Sequence, residues 1–513
     1  MSDVEERTET SVDVGRRAAQ RAESRMLIDG ELVGSASGQQ FDNVSPATGL
    51  TLGTAAAAGP DDMKRAIAAA RRAFDETDWS TNRALRKRCL EQLQSAIEAE
   101  RDDLGEELIA EVGCPAMTIQ SAQLDWPLAD ALRYPTRLID DFGWERTLDG
   151  GGLFGDRNVR TVVKEPVGVV GAITPSNFPI EVILNKLGPA LASGNTVVLK
   201  PDPNTPWNAT RLGRLIADHT DIPAGVVNVV PTPSNEVAGI LGTDPRVDMV
   251  SFTGSTTVGK LLMRQGADTM KRMFLELGGK SALIVLDDAN PAKVVASAVG
   301  VCVHAGQACA TTSRLLVHQS LFDETVSSVT AAFQMVPVGD PALAQTFVGP
   351  VISAQQKERV LSAIDRARQD GAEITTGGGS FTELPSHLTG GHYVQPTVIV
   401  GVDNRAAIAR DEIFGPVLVI MPFVDDDEAV RLANDSAYGL AGAVLSGSTE
   451  RGMNAARRIR TGSIGVNGGM YYGADAPFGG YKNSGIGRQC GIEGFQQYLE
   501  TKTLAYRAPR TES

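Results

Sequence analysis

Apolar positions in the first part of the chain recur at helical spacing. Asp61 and Asp62 offer a helix N-cap, and apolar side chains follow at intervals of three or four residues. The apolar positions of this first pattern are Met63, Ala66, Ile67, Ala70 and Phe74. A second pattern of the same kind runs through Leu85, Cys89, Leu93 and Ile97, and a third covers 104–112 and stops at Gly113. These three patterns predict amphipathic helices.

Between residues 165 and 276 the pattern changes to short apolar runs separated by helix-like segments. The runs cover 167–174, 195–200, 226–230, 247–252 and 273–277. Such an alternation predicts repeated βαβ units, and therefore a parallel sheet with helices on both faces. A second series of runs, at 282–286, 314–318 and 417–421, predicts a second α/β domain.

Three further segments fit neither series. Residues 1–24 mix charged and small residues and are predicted to be a mobile tail that contains at most a short helix. Residues 140–164 are rich in glycine and are predicted to form a hairpin. Residues 501–508 read as an isolated strand, which must pair with a neighbouring subunit or be covered as an edge within its own subunit.

Length, charge and cysteine content narrow the class of protein. The 513 residues allow about three structural units. Lys plus Arg is 48 and Asp plus Glu is 62, and the net charge of −14 argues against a general nucleic-acid or anionic-membrane surface. The five cysteines form no CxxC pair, so no metal site is predicted. No apolar run approaches the roughly 20 residues that span a bilayer. Few, widely spaced cysteines are expected to be reduced thiols, which fits a cytoplasmic protein.

Cys309 and Glu276 are candidates for covalent and general-base chemistry. A lone cysteine among small residues is either an inert core thiol or a nucleophile. His304 lies five residues before it, which is not one helix face, so it is a poor candidate for its base. Glu276 stands between two leucines at the end of a predicted strand, where partial burial would raise its pKa and suit a base. Alternatively, Glu276 pairs with Lys280 or a backbone donor.

Two loops after predicted strands offer hydrogen-bond donors. Asn177 follows an apolar strand and is flanked by Pro175 and Pro179, which restrict the loop. Its amide either donates to a developing oxyanion or caps its own backbone. The turn from Gly254 to Gly259 opens a helix whose N-terminus favours a phosphate, although a plain strand–helix turn is equally compatible.

Together these segments resemble the aldehyde dehydrogenase superfamily from about residue 26 to residue 508. The resemblance is carried by EPVGVVGAITPSNFP (165–179), GPALASGNTVVLKP (188–201), FTGSTTVGK (252–260), LELGGKS (275–281), GQAC (306–309), EIFGPV (412–417), NDSAYGLAG (434–442) and PFGGYKNSGIGR (477–488). It implies that the Cys309 thiolate attacks an aldehyde, that Asn177 and the Cys309 N–H hold the oxyanion, and that Glu276 activates the water that hydrolyses a thioester. The product would be a carboxylic acid, with hydride passing to NAD(P).

The resemblance also implies cofactor contacts. Lys200 would contact the adenosine ribose, Ser255 the pyrophosphate, and Glu412 the nicotinamide ribose, with Phe414 beside the nicotinamide. The cofactor positions as a set are Thr174, Pro175, Lys200, Gly254, Ser255, Gly259, Leu277, Glu412 and Phe414. Pro203 stands where many members have a ribose-binding Glu, so NADP is compatible, but no Arg or Lys cluster follows and we expect NAD.

The substrate channel departs from many relatives at Ser176, where they have Trp before the catalytic Asn. Phe178 and Phe478 are expected to form an aromatic wall, and the helix after Pro179 to carry Glu181 toward the channel. An aromatic wall with polar spots suggests a substrate that is neither strictly aliphatic nor small and charged.

The predicted architecture is α/β, with a Rossmann-like cofactor domain, a catalytic α/β domain and a small β element for oligomerisation. The cofactor domain covers 25–139 and 165–275, the catalytic domain 276–498, and the oligomerisation element 140–164 and 499–513. We expect a homodimer or homotetramer that takes a small-molecule aldehyde and binds neither nucleic acid nor membrane. A CoA-acylating enzyme and a catalytically silent binding or structural protein are the alternatives; Glu276 argues against the first, since hydrolysis needs that base.

Overall fold

The first large sheet has the strand order of a dinucleotide-binding fold. In the computed structural model, which describes residues 9–148 and 158–507, this sheet has eight strands. From edge to edge they are Gly485–Ile486, Arg272–Glu276, Met249–Thr253, Val169–Ile173, Thr196–Lys200, Val227–Val229, Met26–Ile28 and Glu31–Val33. The five strands from Arg272–Glu276 to Val227–Val229 are parallel. When these five are numbered along the chain, their order across the sheet is 5-4-1-2-3. This doubly wound order places a crevice at the carboxyl ends of the fourth and first strands.

Both faces of this sheet are buried, which explains why its strands read as unbroken apolar runs. Val170 and Ala172 point into one apolar core, while Val169 and Ile173 point into another on the opposite face. The prediction of a parallel sheet between helices is confirmed, and the strand ends differ from the predicted ones by no more than two residues.

The second large sheet has seven strands. From edge to edge they are Glu373–Thr376, Thr397–Val400, Val417–Phe423, Arg314–His318, Ala282–Val285, Gly442–Leu445 and Gly465–Val466. Its strands are parallel except the first, and a second apolar core surrounds them. The predicted α/β fold class is therefore confirmed.

Helices cover both sheets and connect their strands. The α-helices are Ser11–Arg21, Pro60–Glu76, Arg83–Ala99, Arg101–Glu107, Ala116–Thr118, Asp125–Asp130, Arg133–Asp141, Pro179–Ala192, Pro206–His219, Asn235–Thr243, Thr256–Gly266, Pro291–Val299, Phe322–Gln334, Ala354–Gln369, Ala407–Arg410, Asp426–Asn434, Thr449–Ala456 and Gly491–Gln496. In the described ranges, no helix is both long and apolar enough to cross a membrane.

The N-terminal segment is more ordered than expected. Residues Ser11–Arg21 form a helix whose Val14 and Ala18 are buried. Its first backbone N–H, that of Ser11, donates to the Asp340 carboxylate at 3.0 Å, and Arg17 pairs with Glu106 at 2.8 Å. The prediction of a mobile tail over 1–24 is wrong for this helix, because an apolar stripe and ion pairs hold it. Residues 1–8 lie outside the described part.

The predicted hairpin and the C-terminal strand form one small sheet. Strands Glu145–Leu148 and Asn158–Pro166 pair antiparallel, and the connection between them, 149–157, lies outside the described residues. Strand Leu499–Arg507 pairs along its whole length with Asn158–Pro166. Of the two alternatives for the C-terminal strand, the structure has pairing within its own chain, where the remote hairpin supplies the partner strand. Two further strands, Gln40–Val44 and Thr51–Ala56, form a separate pair.

Candidate active site

One large cavity joins the two sheets at the carboxyl ends of their strands. It has a volume of about 870 Å³, and residues of both sheets line it. The predicted site residues that line it are Pro175, Asn177, Phe178, Glu181, Gly254, Ser255, Glu276, Leu277, Cys309, Glu412, Phe414 and Phe478. The chain thus brings to one cavity residues that lie up to three hundred positions apart.

Cys309 lies in a loop after the short helical segment Gly300–Gly306. Gly306 has φ +74°, and a Cβ there would lie 2.0 Å from the Gly415 carbonyl oxygen, so only glycine lets the loop pack against that segment. Burial, followed by the carboxylates of Glu276, Glu412 and Glu181, raises the pKa of the Cys309 thiol. The free thiol therefore keeps its proton near neutral pH, and its activation needs a base or a change in its surroundings.

His304 and Cys302 do not share the nucleophile's surroundings. His304 is buried against Phe178, with ring centroids 5.2 Å apart, and burial lowers its pKa to about 4. Cys302 is fully buried in the core of the second sheet. Cys309, by contrast, is partly accessible from the cavity.

Asn177 has a side chain held in one orientation. Its Nδ2 donates to the Gln307 backbone carbonyl at 2.7 Å, and the Asn177 backbone carbonyl accepts from Gln123 Nε2 at 2.8 Å, which holds the loop. An amide nitrogen carries two hydrogens, so one N–H fixes the side chain and the second is left for a ligand. The arrangement suits a preorganised donor in the loop next to Cys309.

Glu276 ends the strand Arg272–Glu276 with its carboxylate inside the cavity wall. Both oxygens are buried and lack a hydrogen-bond partner among the described residues, so the alternative of a pair with Lys280 is not what the structure has. Burial raises the pKa of Glu276 to about 8, while Lys186 and Arg488 act in the opposite direction. A carboxyl group of this kind is poised to exchange protons near neutral pH.

The crevice at the switch point of the first sheet fits a dinucleotide. Thr174 and Thr253, which follow or end the two strands at this point, have buried hydroxyl oxygens without a partner in the described ranges. Ser255 caps the helix Thr256–Gly266 and its Oγ accepts from Val258 N at 3.4 Å, so the positive end of that helix faces the crevice. Unpaired hydroxyls beside a helix N-terminus are the donors that a pyrophosphate and its riboses need.

Glu412 closes the other side of this crevice. Its Oε1 accepts from Gly279 N at 3.0 Å, and a Cβ on Gly278 would lie 2.0 Å from its Oε2. The glycine therefore permits the carboxylate to approach the strand end. Phe414, two residues later, adopts φ +56°, a costly conformation for an aromatic residue, and lines the cavity.

Three predicted cofactor residues do not line the cavity itself. Thr174 and Lys200 end neighbouring strands and are joined by a hydrogen bond from Thr174 N to Lys200 O at 3.1 Å. Gly259 lies within a helix, where a Cβ would collide with Leu277 at 2.6 Å, so it permits packing between the helix and Leu277. Asp202, next to Pro203, does line the cavity.

Comparison with known proteins decides the family. A family model described as "Aldehyde dehydrogenase family" matches residues 32–504. The chain belongs to the aldehyde dehydrogenase family. It is 40% identical over 484 residues to a 3-succinoylsemialdehyde-pyridine dehydrogenase of Pseudomonas sp, with 93% of this chain and 97% of that protein covered. The predicted enzyme class, an oxidoreductase that oxidises an aldehyde with NAD, is confirmed.

Solved structures of aldehyde dehydrogenases share the whole architecture. Betaine aldehyde dehydrogenase from Staphylococcus aureus in complex with NAD⁺ superimposes with a TM-score of 0.92 at 34% identity, covering 97% of this chain and 99% of that one. A cysteine-to-alanine variant of the P. syringae indole-3-acetaldehyde dehydrogenase, in complex with NAD⁺ and IAA, has a TM-score of 0.91 at 37% identity. That match covers 98% of this chain and 100% of the other.

The substrate side of this aldehyde dehydrogenase holds residues that the sequence reasoning missed. Besides the expected Phe178, Glu181 and Phe478, the cavity is lined by Trp126, Met470, Tyr471, Tyr472 and Gln489. Trp126 lies on the helix Asp125–Asp130, and the two tyrosines lie in a loop between Gly469 and Gly473. An aromatic pair between glycines was the one available signal for them.

Two further charged groups act on Glu276: Lys186, which lies outside the family segments, and Arg488, which ends the last of them but was given no role. Lys186 is fully buried, its Nζ donates to Ser251 Oγ at 3.1 Å, and burial lowers its pKa to about 7. Arg488 donates to the carbonyls of Gly480 and Gly487 and contributes its charge to Glu276. Both cations favour the ionised form of the Glu276 carboxyl group.

Proposed function

We propose that this aldehyde dehydrogenase uses Cys309 as nucleophile, Asn177 as oxyanion donor and Glu276 as general base, and that it releases a free carboxylic acid. The observation that carries the proposal is that one cavity collects these three residues from separate parts of the chain. Each residue has the property its role requires: an accessible thiol, an amide with one N–H to spare, and a carboxyl group whose pKa is about 8.

The chemistry follows from these groups. The Cys309 thiol first gives up its proton to water in the cavity. The thiolate sulfur then bonds to the aldehyde carbon as the carbonyl electron pair moves to oxygen, where Asn177 and the Cys309 backbone N–H stabilise the negative charge. NAD⁺, when bound in the crevice, supplies the acceptor for the hydride whose loss leaves a thioester. Glu276 then takes a proton from water, the water oxygen bonds to the thioester carbon, and the carbon–sulfur bond breaks to return the thiolate.

We propose NAD rather than NADP as the cofactor. Pro203 stands where many family members have a Glu whose carboxylate chelates the ribose. The neighbouring Asp202 lines the cavity and offers a carboxylate directly beside that position. Asp202 also acts electrostatically on Lys200, at the position expected for the adenosine ribose. A carboxylate there repels a ribose phosphate, and so favours NAD. Comparing kcat/KM with the two cofactors tests this choice, and a clear preference for NADP would overturn it.

We propose that hydrolysis, not transfer to CoA, ends the reaction. Glu276 supports this because a carboxyl group without a hydrogen-bond partner in the described ranges is free to bind water. The test is NADH absorbance with a broad aldehyde panel, with and without CoA, and chromatography of the product. CoA-independent NADH formation with a free acid as product is expected. A strict need for CoA would support the acylating alternative, and no reduction of NAD⁺ with any aldehyde would support a silent scaffold.

We also propose a substrate that is neither a simple alkanal nor small and charged. Phe178, Tyr472 and Phe478 give the cavity an aromatic wall, and Glu181 is a polar position in it. Two of the relatives named above are described by a pyridine and an indole aldehyde, which are bulkier than simple alkanals. Preference for long-chain alkanals over aromatic or hydroxylated aldehydes in the same panel would contradict this proposal.

We propose a cytoplasmic homodimer or homotetramer. The long strand Leu499–Arg507 is largely exposed, including Leu504 and Tyr506, and exposed apolar residues on an edge strand favour pairing with another copy. All five cysteines are free thiols, which fits a reducing compartment. Light scattering at micromolar concentration tests the assembly, and a monomeric mass would refute it.

A further inference from the structure

Glu181 places a carboxylate in the wall of the cavity without a cationic partner. It lies in the first turn of the helix Pro179–Ala192, between Phe178 and Val182, which line the same cavity. Its Oε1 accepts a hydrogen bond from the Tyr472 hydroxyl. Within the described ranges, no Lys, Arg or His forms an ion pair with it.

A chain of hydrogen bonds holds Glu181 as an acceptor. Asn185, one turn further along the helix, donates from Nδ2 to the Tyr472 hydroxyl oxygen at 3.1 Å. The Cys490 thiol lies 3.6 Å from Asn185 Oδ1, which fixes the orientation of that amide. A tyrosine hydroxyl has a single proton, so with Asn185 donating to its oxygen it directs that proton to Glu181. The second carboxylate oxygen, Oε2, has no donor among the described residues.

No cation among the described residues offsets the charge that Glu181 carries when it is ionised. Burial raises the pKa of Glu181 to about 8, and no neighbouring cation opposes the shift. Arg359, which also lines the cavity, acts on Glu412, and Lys186 and Arg488 act on Glu276. A ligand that brings positive charge to this wall would supply the missing partner.

The aromatic rings beside Glu181 suit the same kind of ligand. Tyr472 and Phe478 meet edge to face with centroids 5.5 Å apart, and both line the cavity with Phe178. Aromatic faces attract cations and also accept the apolar part of a substrate.

We infer that Glu181 is a specificity-determining residue that selects aldehydes whose remote end carries a protonated nitrogen. The inference rests on the proposed function, since it assigns a substrate class to the same site. The nitrogen would donate an N–H to the open Glu181 oxygen while the aldehyde carbon lies at Cys309. A protonated nitrogen would favour the ionised form of the partly buried Glu181, whereas an apolar isostere of the same substrate would leave the open oxygen without a donor and bind less well.

The test compares two aldehydes of nearly identical shape. Para-(dimethylaminomethyl)benzaldehyde carries a protonated amine where para-isobutylbenzaldehyde carries a CH group, and the tertiary amine cannot condense with aldehydes. The measured quantity is the ratio of kcat/KM for the cationic aldehyde to that for the neutral one. We expect wild-type protein to prefer the cationic aldehyde by at least about tenfold. Glu181→Gln, which keeps size and removes charge, should bring the ratio close to one.

Glu324→Gln is the matched control, because Glu324 is an exposed glutamate on the helix Phe322–Gln334, away from the cavity. It should keep the wild-type ratio. A wild-type ratio near one, or a high ratio that persists in Glu181→Gln, would overturn the inference while leaving the proposed function intact. If the wild-type protein oxidises neither these two aldehydes nor any other aldehyde of the broad panel, the result would instead count against the proposed function and remove the basis of the inference. If Glu181→Gln does not fold, Glu181→Asp serves in its place, because shortening the carboxylate should lower the ratio and leave the charge.

Discussion

The two walls of the cavity are built in different ways. The catalytic wall, Asn177, Glu276 and Cys309, stands on strand ends or on loops held by close glycine contacts. The channel wall, formed by Phe178, Glu181, Tyr472 and Phe478 among others, consists of side chains from a helix turn and from loops near the C-terminus.

This difference separates the chemistry from the choice of substrate. Groups that act on one bond need fixed positions, and the ends of parallel strands provide them. Side chains on a helix turn or a loop can be exchanged without moving the strands, so one catalytic wall can serve many aldehydes. Changes in the catalytic wall should therefore affect the rate with every substrate, and changes in the channel wall should affect the ranking of substrates.

The largest effect is expected for Cys309→Ser. A serine hydroxyl is a far weaker nucleophile at neutral pH, and kcat should fall by at least about 10⁴-fold with all aldehydes. NADH formation and thiol labelling measure the loss. Cys302→Ser is the control, because Cys302 is buried in the second core and does not line the cavity. Loss of activity in Cys302→Ser with retention in Cys309→Ser would reverse the assignment of the nucleophile.

Glu276→Gln should separate the two halves of the reaction. Thioester formation would still release NADH once per active site, but hydrolysis would slow by about 10³-fold because the water lacks its base. Rapid mixing should show a burst of NADH close to the enzyme concentration, followed by a very slow steady rate. If the burst disappears as well, Glu276 is needed before the thioester forms, and its role as the base for hydrolysis alone is wrong.

Asn177→Ala should lower kcat by about 10²-fold and change KM little, because its N–H contacts the oxygen mainly when charge develops on it. Steady-state kinetics with one good substrate measure both constants. Asn177→Asp is the informative companion, since it keeps the shape but lacks the donor. If Asp restores the rate, the side chain acts by filling space and not by donating a hydrogen bond.

The sequence predicts the catalytic wall better than the channel wall, because the two walls are built in different ways. Cys309, Glu276 and Asn177 lie in short segments whose residue types match their chemistry, and the alternation of apolar runs predicts the strands that carry them. For Tyr472 the local sequence offers only an aromatic pair between glycines, and for Trp126 it offers no signal, because contacts between segments distant along the chain place both side chains in the cavity. The sequence does not predict that the N-terminal helix packs on the rest of the protein for a related reason: its partners Glu106 and Asp340 are remote in sequence.

The pH dependence should report the burial of Glu276. Because its pKa is raised to about 8, the ionised base decreases as the pH falls below that value. When hydrolysis limits the rate, kcat should rise about fivefold from pH 7 to pH 8 and level off above it. A profile that is flat from pH 6 to pH 9 would mean that another step limits turnover or that Lys186 and Arg488 keep the carboxyl group ionised throughout.

The smallest effect is expected at the edge of the channel wall, with Tyr472→Phe. Loss of the hydroxyl removes the hydrogen bond that stabilises the charged form of Glu181, so the pKa of Glu181 should rise further. The preference for the cationic over the neutral benzaldehyde should fall by about threefold, and the pH at which it develops should move upward. Tyr506→Phe, at an exposed tyrosine outside the cavity, should leave the preference unchanged. A purely structural role for Tyr472 would lower the rates with both aldehydes equally and leave the pH at which the preference develops where it is. That outcome would mean that Tyr472 supports the catalytic wall, and that the two walls do not act separately on rate and on substrate choice.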